Sequence, residues 1–417
     1  MKKLVLTLPF LFLANLALAS GFGLYEFSAR GNAMGGAVMA GEAEPASLAM
    51  NPALITELPG KQIQTGVTVV TASGGINFAG INGDSKRQWW PLPNIYYTQQ
   101  INERWWWGLG AMARFGLSND YENKAWLGTT SSLYHVGVTT FSLQPTVAYK
   151  ATDRLSVSLG AEVQYLNFTE KVRFGDAVDM NLDGDSYALS GIASMFYQAN
   201  EKVNMGISFR MRNDHSVRGP AKYTPANGTT FKNGGDFWGD ITFPAQLALG
   251  VSYRPVEKLL IEANWTNVFW SCFRSVDIYM DYLPGSGASG LMGSGSTDVQ
   301  KYASNKKHYQ DAYRVGIGAE YTLTDVVKLR ASFIYDKSPL NEDFMDVMLP
   351  VDDRYIIGTG AGFKLSENTI LDLSYSFLMA TSLNGTSAYN GTAASNYPVH
   401  YKSATSHLMG LSIRYKF

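Results

Sequence analysis

The chain has 417 residues, of which 46% are hydrophobic, 13% aromatic and 17% charged, with a formal net charge of −1. So low and balanced a charge leaves no basic footprint for nucleic acid, and this composition excludes a helical membrane protein and a disordered chain alike. The 41 glycines and abundant aromatic residues at this length favour one large β-barrel over two or three soluble domains, and the single cysteine, Cys272, excludes an internal disulfide.

Residues 1–19 read as a signal peptide: Lys2 and Lys3 precede an apolar run from Leu4 to Leu16, and Ala17-Leu18-Ala19 forms an A-x-A site. Residues 20–60 follow as an N-terminal hatch. The segment lacks strand alternation, is rich in Gly and Ala such as Gly35, Gly36, Ala37, Ala40 and Gly41, and closes on Asn51-Pro52-Ala53. Short helices of such small residues can press closely against a surrounding wall.

From residue 61 to 417 the chain reads as that wall. Segments of about ten residues alternate with period 2, the length a tilted transmembrane strand requires. In Leu155 to Tyr165, Leu155, Val157, Leu159, Ala161, Val163 and Tyr165 share one face, and Ser156, Ser158, Gly160, Glu162 and Gln164 the other. Similar runs are Val203 to Met211, Phe243 to Tyr253, Tyr313 to Tyr321, Leu329 to Tyr335, Tyr355 to Phe363 and Leu371 to Phe377. Six short polar turns, among them Asn102-Glu103-Arg104 and Thr152-Asp153-Arg154, alternate with seven longer loops near residues 73–88, 117–140, 174–185, 213–240, 274–311, 337–353 and 381–404. Short periplasmic turns and long outer loops are the habit of outer-membrane barrels. The count gives an all-β fold of 14 antiparallel transmembrane strands with both ends on the periplasmic side. The last strand, Met409 to Phe417, keeps its apolar residues at odd positions and ends on an aromatic, the kind of signal that barrel-assembly machinery reads.

Catalytic and nucleotide motifs are weak. Gly358-Thr359-Gly360-Ala361-Gly362 lies within a strand with no helix to follow, and the five histidines lack metal-ligand or nucleophile spacing. Cys272 reads as a strand-end residue. The expectation is therefore no enzyme, no cofactor and no metal.

Several motifs in order give the mature chain a family likeness: Ser20-Gly21-Phe22, Asn51-Pro52-Ala53, Pro93-Asn94-Ile95, Phe115-Gly116-Leu117, Arg173-Phe174-Gly175-Asp176, Asp311-Ala312-Tyr313-Arg314 and Leu349-Pro350-Val351-Asp352-Asp353-Arg354. The chain resembles the FadL-type outer-membrane transporters of long-chain fatty acids and aromatic hydrocarbons. The resemblance implies a 14-stranded barrel closed by an N-terminal hatch. It also implies passive uptake of a hydrophobic small molecule, bound in a lumen pocket beside the hatch and released sideways into the bilayer at a kinked third strand. By position, Phe22 would occupy or gate the pocket, Arg114, Phe115 and Gly116 would mark the kink, and Arg173 would meet a substrate carboxylate or a lumen ion pair. Asn32 and Asn51 of the hatch would support the kink, and Arg314 and Arg354 would pair lumen carboxylates. The short third outer loop, Gly175 to Asp185, and Gln310 in place of a lysine leave an uncharged aromatic hydrocarbon or alkane as an alternative substrate. A general porin or a structural barrel is the remaining alternative. The remaining partners expected are outer-membrane lipid and lipopolysaccharide, and the chain is expected to be a monomer.

Overall fold

The computed structural model describes residues 21, 23–72, 74–127, 131–174, 178–225, 235–281, 300–348, 352–388 and 396–417. Residues 1–20, which hold the signal-peptide reading, lie outside the described residues, as do Phe22, Gly175, Asp176 and the run from Leu349 to Val351.

Fourteen antiparallel strands close into a barrel. They are β1 (Lys61–Ala72), β2 (Gln88–Gln100), β3 (Trp105–Met112 with Gly116–Asp120), β4 (Ser131–Thr152), β5 (Leu155–Phe174), β6 (Val178–Gln198) and β7 (Val203–Arg210 with Asn213–Pro225). The circuit continues with β8 (Asp236–Phe243 with Gln246–Val256), β9 (Leu259–Val268 with Ser275–Met280), β10 (Gln300–Lys306 with Ala312–Thr322), β11 (Val327–Asp336), β12 (Arg354–Lys364), β13 (Thr369–Ala380) and β14 (Ala404–Lys416). Each strand pairs with the next, and β14 pairs with β1 from Lys416↔Gln62 to Ser406↔Ala72, so the sheet closes on itself. Closure is what allows strands to span lipid, where an unpaired backbone group has no water to turn to. The Phe417 amide donates to Lys61 O at 3.0 Å, which brings the C-terminus to the start of β1.

Outward-facing aromatic residues mark the bilayer. On β6, Tyr187 and Tyr197 are both exposed. Ten residues at about 3.4 Å each, tilted by about 40°, separate them by roughly 26 Å along the membrane normal. Trp105 and Tyr149 meet at a tilt in the periplasmic girdle with centroids 4.7 Å apart, and Tyr165 and Tyr187 meet in the outer one at 5.2 Å.

Strands β4, β5 and β6 are 22, 20 and 21 residues long, so they rise well above the outer girdle. The side-chain pattern inverts where they leave the membrane. Up to Tyr165 the outward face of β5 is apolar and the inward face polar, whereas beyond it Asn167, Thr169, Lys171 and Arg173 point outward and Leu166, Phe168 and Val172 inward. The inner surface of the outer half is consequently apolar apart from the buried Glu170: Val136, Val138, Leu166, Phe168, Met180, Leu182, Val217, Phe237 and Ile241 all join one buried cluster.

This corrects the expected loop boundaries. Much of 174–185, 213–240 and 117–140 is strand, because residues outside the bilayer can still pair when their inward faces bury one another. Residues of the first and last outer loops form a further four-stranded sheet, Gly75–Phe78, Ile81–Asp84, Leu383–Ala388 and Asn396–Tyr401, packed on Tyr121, Trp126 and Met345.

Inside the wall, Gly23 to Leu58 run through a short helix α1 (Ala29–Ala33), a second helix α2 (Ser47–Met50) and a 3-10 turn (Pro52–Glu57). Ser28 caps α1 by accepting from Gly31 N at 2.9 Å. Asn51 explains its own motif: its Oδ1 accepts from Ala53 N at 3.2 Å, and its Nδ2 donates to Met39 O at 2.6 Å and to Met195 O of β6 at 3.2 Å. Pro52 starts the 3-10 turn, where a missing N–H costs nothing. Strand side chains hold the segment all round. Met39 N and Ala40 N donate to Glu262 of β9, Asn32 Nδ2 to Thr68 of β1, and Asn264 Nδ2 of β9 to Gly36 O. Arg30 joins Glu320, and through it Arg330 and Asp372, in a buried charge network.

Candidate functional site

Three strands change the face they present to the lumen, and they do so at interruptions. In β3 the inward set passes from Trp106 and Met112 to Leu117 and Asn119 across 113–115. In β7 it passes from Ser208 and Arg210 to Asn213 and His215 across 211–212, and in β8 from Ala248 down to Phe243 and Ile241 across Pro244-Ala245. Pro244 has no N–H to give a ladder. The continuous Phe243-to-Tyr253 strand read from alternation is therefore incorrect at its first residue. Phe243 faces the lumen and not the lipid.

The interruptions bring one aromatic layer together. Phe115 stacks on Phe243 with centroids 4.2 Å apart and planes at 8°, and meets Trp270, from the break in β9, edge-on at 6.2 Å. His215 stands edge-on to Phe243 at 5.5 Å. Beneath the layer lies a polar floor. The Glu162 carboxylate accepts from Arg114 Nη1 at 3.1 Å, Arg210 Nη1 at 2.6 Å and Ser142 Oγ at 2.7 Å. Arg210 also donates to Ala49 O, and Gln144 to Leu48 O, which fastens the floor to the N-terminal segment.

Arg114, Phe115 and Gly116 thus sit together at the break in β3. The backbone groups freed there are taken up locally: Phe115 N donates to Thr140 Oγ1 at 3.0 Å, the Thr140 hydroxyl donates to Phe115 O, and Leu24 N donates to Arg114 O at 2.8 Å. Thr140 and Leu24, rather than Asn32 and Asn51, are the supports. Gly23 pairs with Phe115 in an isolated bridge, and a Cβ on Gly21 would lie 2.7 Å from the Trp270 ring, so both neighbours of Phe22 rest against the aromatic layer. Leu117 has a φ of 91°, a left-handed conformation that costs a branched residue about 1–2 kcal/mol.

Beside this break the wall is incomplete. The β2–β3 ladder runs only from Gln100↔Trp106 to Ile95↔Ala111, although β2 continues to Gln88 and stays paired with β1 throughout. Gln100 N donates to Gly60 O, towards β1. By alternation, the amide positions of residues 89, 91, 93 and 95 face β3. Two of these are Pro91 and Pro93, so the edge of the gap carries two fewer donors than a free edge would, which suits proline to such a position. Side chains bridge the gap further out: Trp90 Nε1 donates to Ser118 Oγ at 3.0 Å, Ser118 Oγ to Gln88 Oε1 at 2.8 Å, and Gln88 to Asp120.

Arg173 lies elsewhere. Its neighbour Val172 packs inward opposite Met180, so Arg173 is on the outer face, where Nη1 joins Asp179 at 3.0 Å. Against β4 it pairs with Ser132, seven residues or roughly 23 Å beyond the Thr139 partner of Gly116. Arg354 pairs with Asp336 as expected, but among the described residues Arg314 has no ion pair. Its guanidinium lies 4.3 Å over the Tyr25 ring, and burial holds the Tyr25 hydroxyl well above its ordinary pKa. Thr140, Phe243, Trp270 and the two prolines were missed by pattern reading. Only the prolines carried a signal, since proline within a barrel strand marks an unpaired edge. Among the described residues no group of acidic, histidine and cysteine side chains is placed to hold a metal.

Residues 10–417 match the profile of a family described as outer membrane protein transport protein (OMPP1/FadL/TodX). The chain is 21% identical over 465 residues to the long-chain fatty acid transport protein of Escherichia coli O6:H1, covering 100% of this chain and 98% of the relative. Its fold is similar to the crystal structure of a Pseudomonas aeruginosa FadL homologue, with a TM-score of 0.77 at 16% identity over 97% of this chain and 100% of that one. It is also similar to the Ralstonia pickettii toluene transporter TbuX, with a TM-score of 0.70 at 18% identity over 95% and 100%.

Proposed function

We propose that this chain, which belongs to the OMPP1/FadL/TodX family of outer membrane transport proteins, takes up uncharged aromatic molecules passively, holds them at the Phe115, Phe243 and Trp270 layer and releases them sideways into the bilayer between β2 and β3. It is an outer-membrane β-barrel channel and not an enzyme.

The observation that carries the route is the interrupted β2–β3 ladder beside the aromatic layer, with the backbone of Arg114 and Phe115 at the break held by Thr140 and Leu24. Below that level residues 24–58 serve as a hatch, bonded to the wall and floor, and obstruct a straight path to the periplasm. A hydrophobic molecule that leaves sideways keeps its apolar surface out of water, at about 0.8 kcal/mol per CH₂. Phe22, from its place between Gly21 and Gly23, gates or fills the layer. Arg114 serves as a structural member of the floor rather than a ligand contact.

A second reading, a fatty acid whose carboxylate meets Arg314, is favoured by that cation having no ion pair among the described residues. The test of the route replaces Cys272 by Ser and places cysteines at Pro93 and Ala113, joined by a reducible bifunctional maleimide. Uptake of labelled toluene and oleate is measured in cells lacking their own transporter. The crosslink should stop uptake while ligand binding persists, and reduction should restore uptake. Uptake that continues through a complete crosslink would refute lateral release and favour passage past a displaced hatch.

A further inference from the structure

The aromatic layer contains two polar side chains that the transport route does not use. Asn213 and His215 follow the break in β7, two residues apart on its inward face and opposite Phe243 and Ile241 of β8. Each is 1% exposed. Neither amide atom of Asn213, and not Nδ1 of His215, has a hydrogen-bond partner among the described residues. Three unsatisfied polar atoms on one buried patch are costly unless something pairs with them.

The floor determines which hydrogen His215 carries. Gln164 Nε2 donates to Ser142 Oγ at 2.9 Å and to Glu162 Oε1 at 3.3 Å, so the amide is oriented with Oε1 towards His215. His215 Nε2 lies 3.1 Å from that oxygen and must carry the hydrogen. In the neutral ring, Nδ1 is then a bare acceptor. Beside it Asn213 offers an N–H donor and a carbonyl acceptor.

We infer that Asn213 and His215 recognise a neutral hydroxyl on an aromatic body, so that phenol-type molecules are preferred to the parent hydrocarbon and to carboxylates. This rests on the lumen-binding reading above. A hydroxyl donates to His215 Nδ1 or the Asn213 carbonyl and accepts from the Asn213 amide, whereas a hydrocarbon leaves all three atoms unpaired. A carboxylate brings no hydrogen for Nδ1, and the nearby cations Arg114 and Arg210 are already held by Glu162. Phe243 and Phe115 stack on each other at 4.2 Å, so a ligand ring would meet an outer face or an edge of this pair.

The test is calorimetric titration of the purified, folded full-length protein with p-cresol, toluene and 4-methylbenzoate. The wild type is compared with the double variant Asn213→Leu/His215→Phe. Asn213→Leu replaces an unpaired amide, and His215→Phe removes the unpaired Nδ1 together with the Nε2 bond to Gln164 Oε1; both new side chains are apolar and of similar size, and folding is verified for each protein by heat-modifiable gel mobility. The wild type should bind p-cresol about tenfold or more tightly than toluene, which corresponds to about 1.4 kcal/mol. The double variant should lose that preference. Equal affinity for p-cresol and toluene in the wild type, or a preference that survives in the double variant, overturns the inference and leaves the transport reading standing. A folded wild-type protein that binds none of the three overturns both.

Discussion

Gly206 and Gly250 face each other across β7 and β8 and form a notch for Met39 of the N-terminal segment. A methyl added by Gly206→Ala would lie 2.1 Å from Met39 O, against the 3.0 Å below which real Cβ contacts essentially never fall, so the segment must retreat by about 0.9 Å (3.0 less 2.1). The same carbonyl accepts from Asn51 Nδ2 at 2.6 Å, and Met39 N and Ala40 N donate to the Glu262 carboxylate at 2.5 and 2.8 Å. A retreat of that size stretches the three to about 3.4–3.7 Å, past the usual range of about 2.7–3.2 Å, and so weakens all of them. One neutral bond at about 1 kcal/mol and two to a carboxylate at about 1.5–3 kcal/mol each put the local loss on the order of 4 kcal/mol. Hydrogen–deuterium exchange of a peptide covering residues 36–41 should then accelerate roughly a thousandfold, at about 1.4 kcal/mol per decade. Single-channel conductance in planar bilayers should rise with it. Gly191→Ala is the control, since its methyl would approach Gly160 O no closer than 3.2 Å. Exchange and conductance unchanged in Gly206→Ala would show that the notch does not hold the segment and would refute its role as a hatch.

Removing residues 20–59 altogether should raise conductance well above that of the intact protein, as measured in the same bilayers; an unchanged value in an inserted barrel would count against closure by this segment. Replacing Glu162 by Leu leaves Arg114 and Arg210 buried without their carboxylate. It should cost about 3–5 kcal/mol and lower the temperature at which the folded gel band is lost. Deleting Phe417 removes the amide bond to Lys61 O and the terminal aromatic that packs edge-on against Tyr415 at 5.1 Å. The heat-modifiable band should then be lost, and normal assembly yield would refute an assembly signal at this residue. Ser118→Ala removes both side-chain links from Trp90 and to Gln88 across the gap. Initial toluene uptake should quicken if the gap is the exit.

The barrel itself was legible in the sequence. Alternation in a membrane strand is imposed by two different solvents on the two faces, so a run such as Leu155 to Tyr165 reports its own orientation, and the spacing of turns counts the strands. Asn51-Pro52-Ala53 stood out in the sequence only as the close of the segment; that Asn51 caps a 3-10 turn begun by Pro52 comes from the structure. What alternation cannot report is where a strand changes face. Phe243 reads as one strand with Tyr253, and only the break at Pro244 and Ala245, set by pairing with β7 and β9, turns it inward to meet Phe115. The outer ends of β4 and β6 read as loops because their pattern is inverted there, apolar inward and polar outward, an arrangement stable only once the facing strands bury one another. Arg173 belongs to that inverted region and so points away from the lumen. The candidate site is assembled from breaks in β3, β7, β8 and β9, which lie far apart in the chain. Its polar members Asn213 and His215 acquire meaning only from what surrounds them, since the sequence records neither their burial nor the Gln164 contact that sets the histidine's hydrogen. Local solvent preference is written residue by residue, whereas the meeting of four strand breaks at one level depends on the register of the closed barrel.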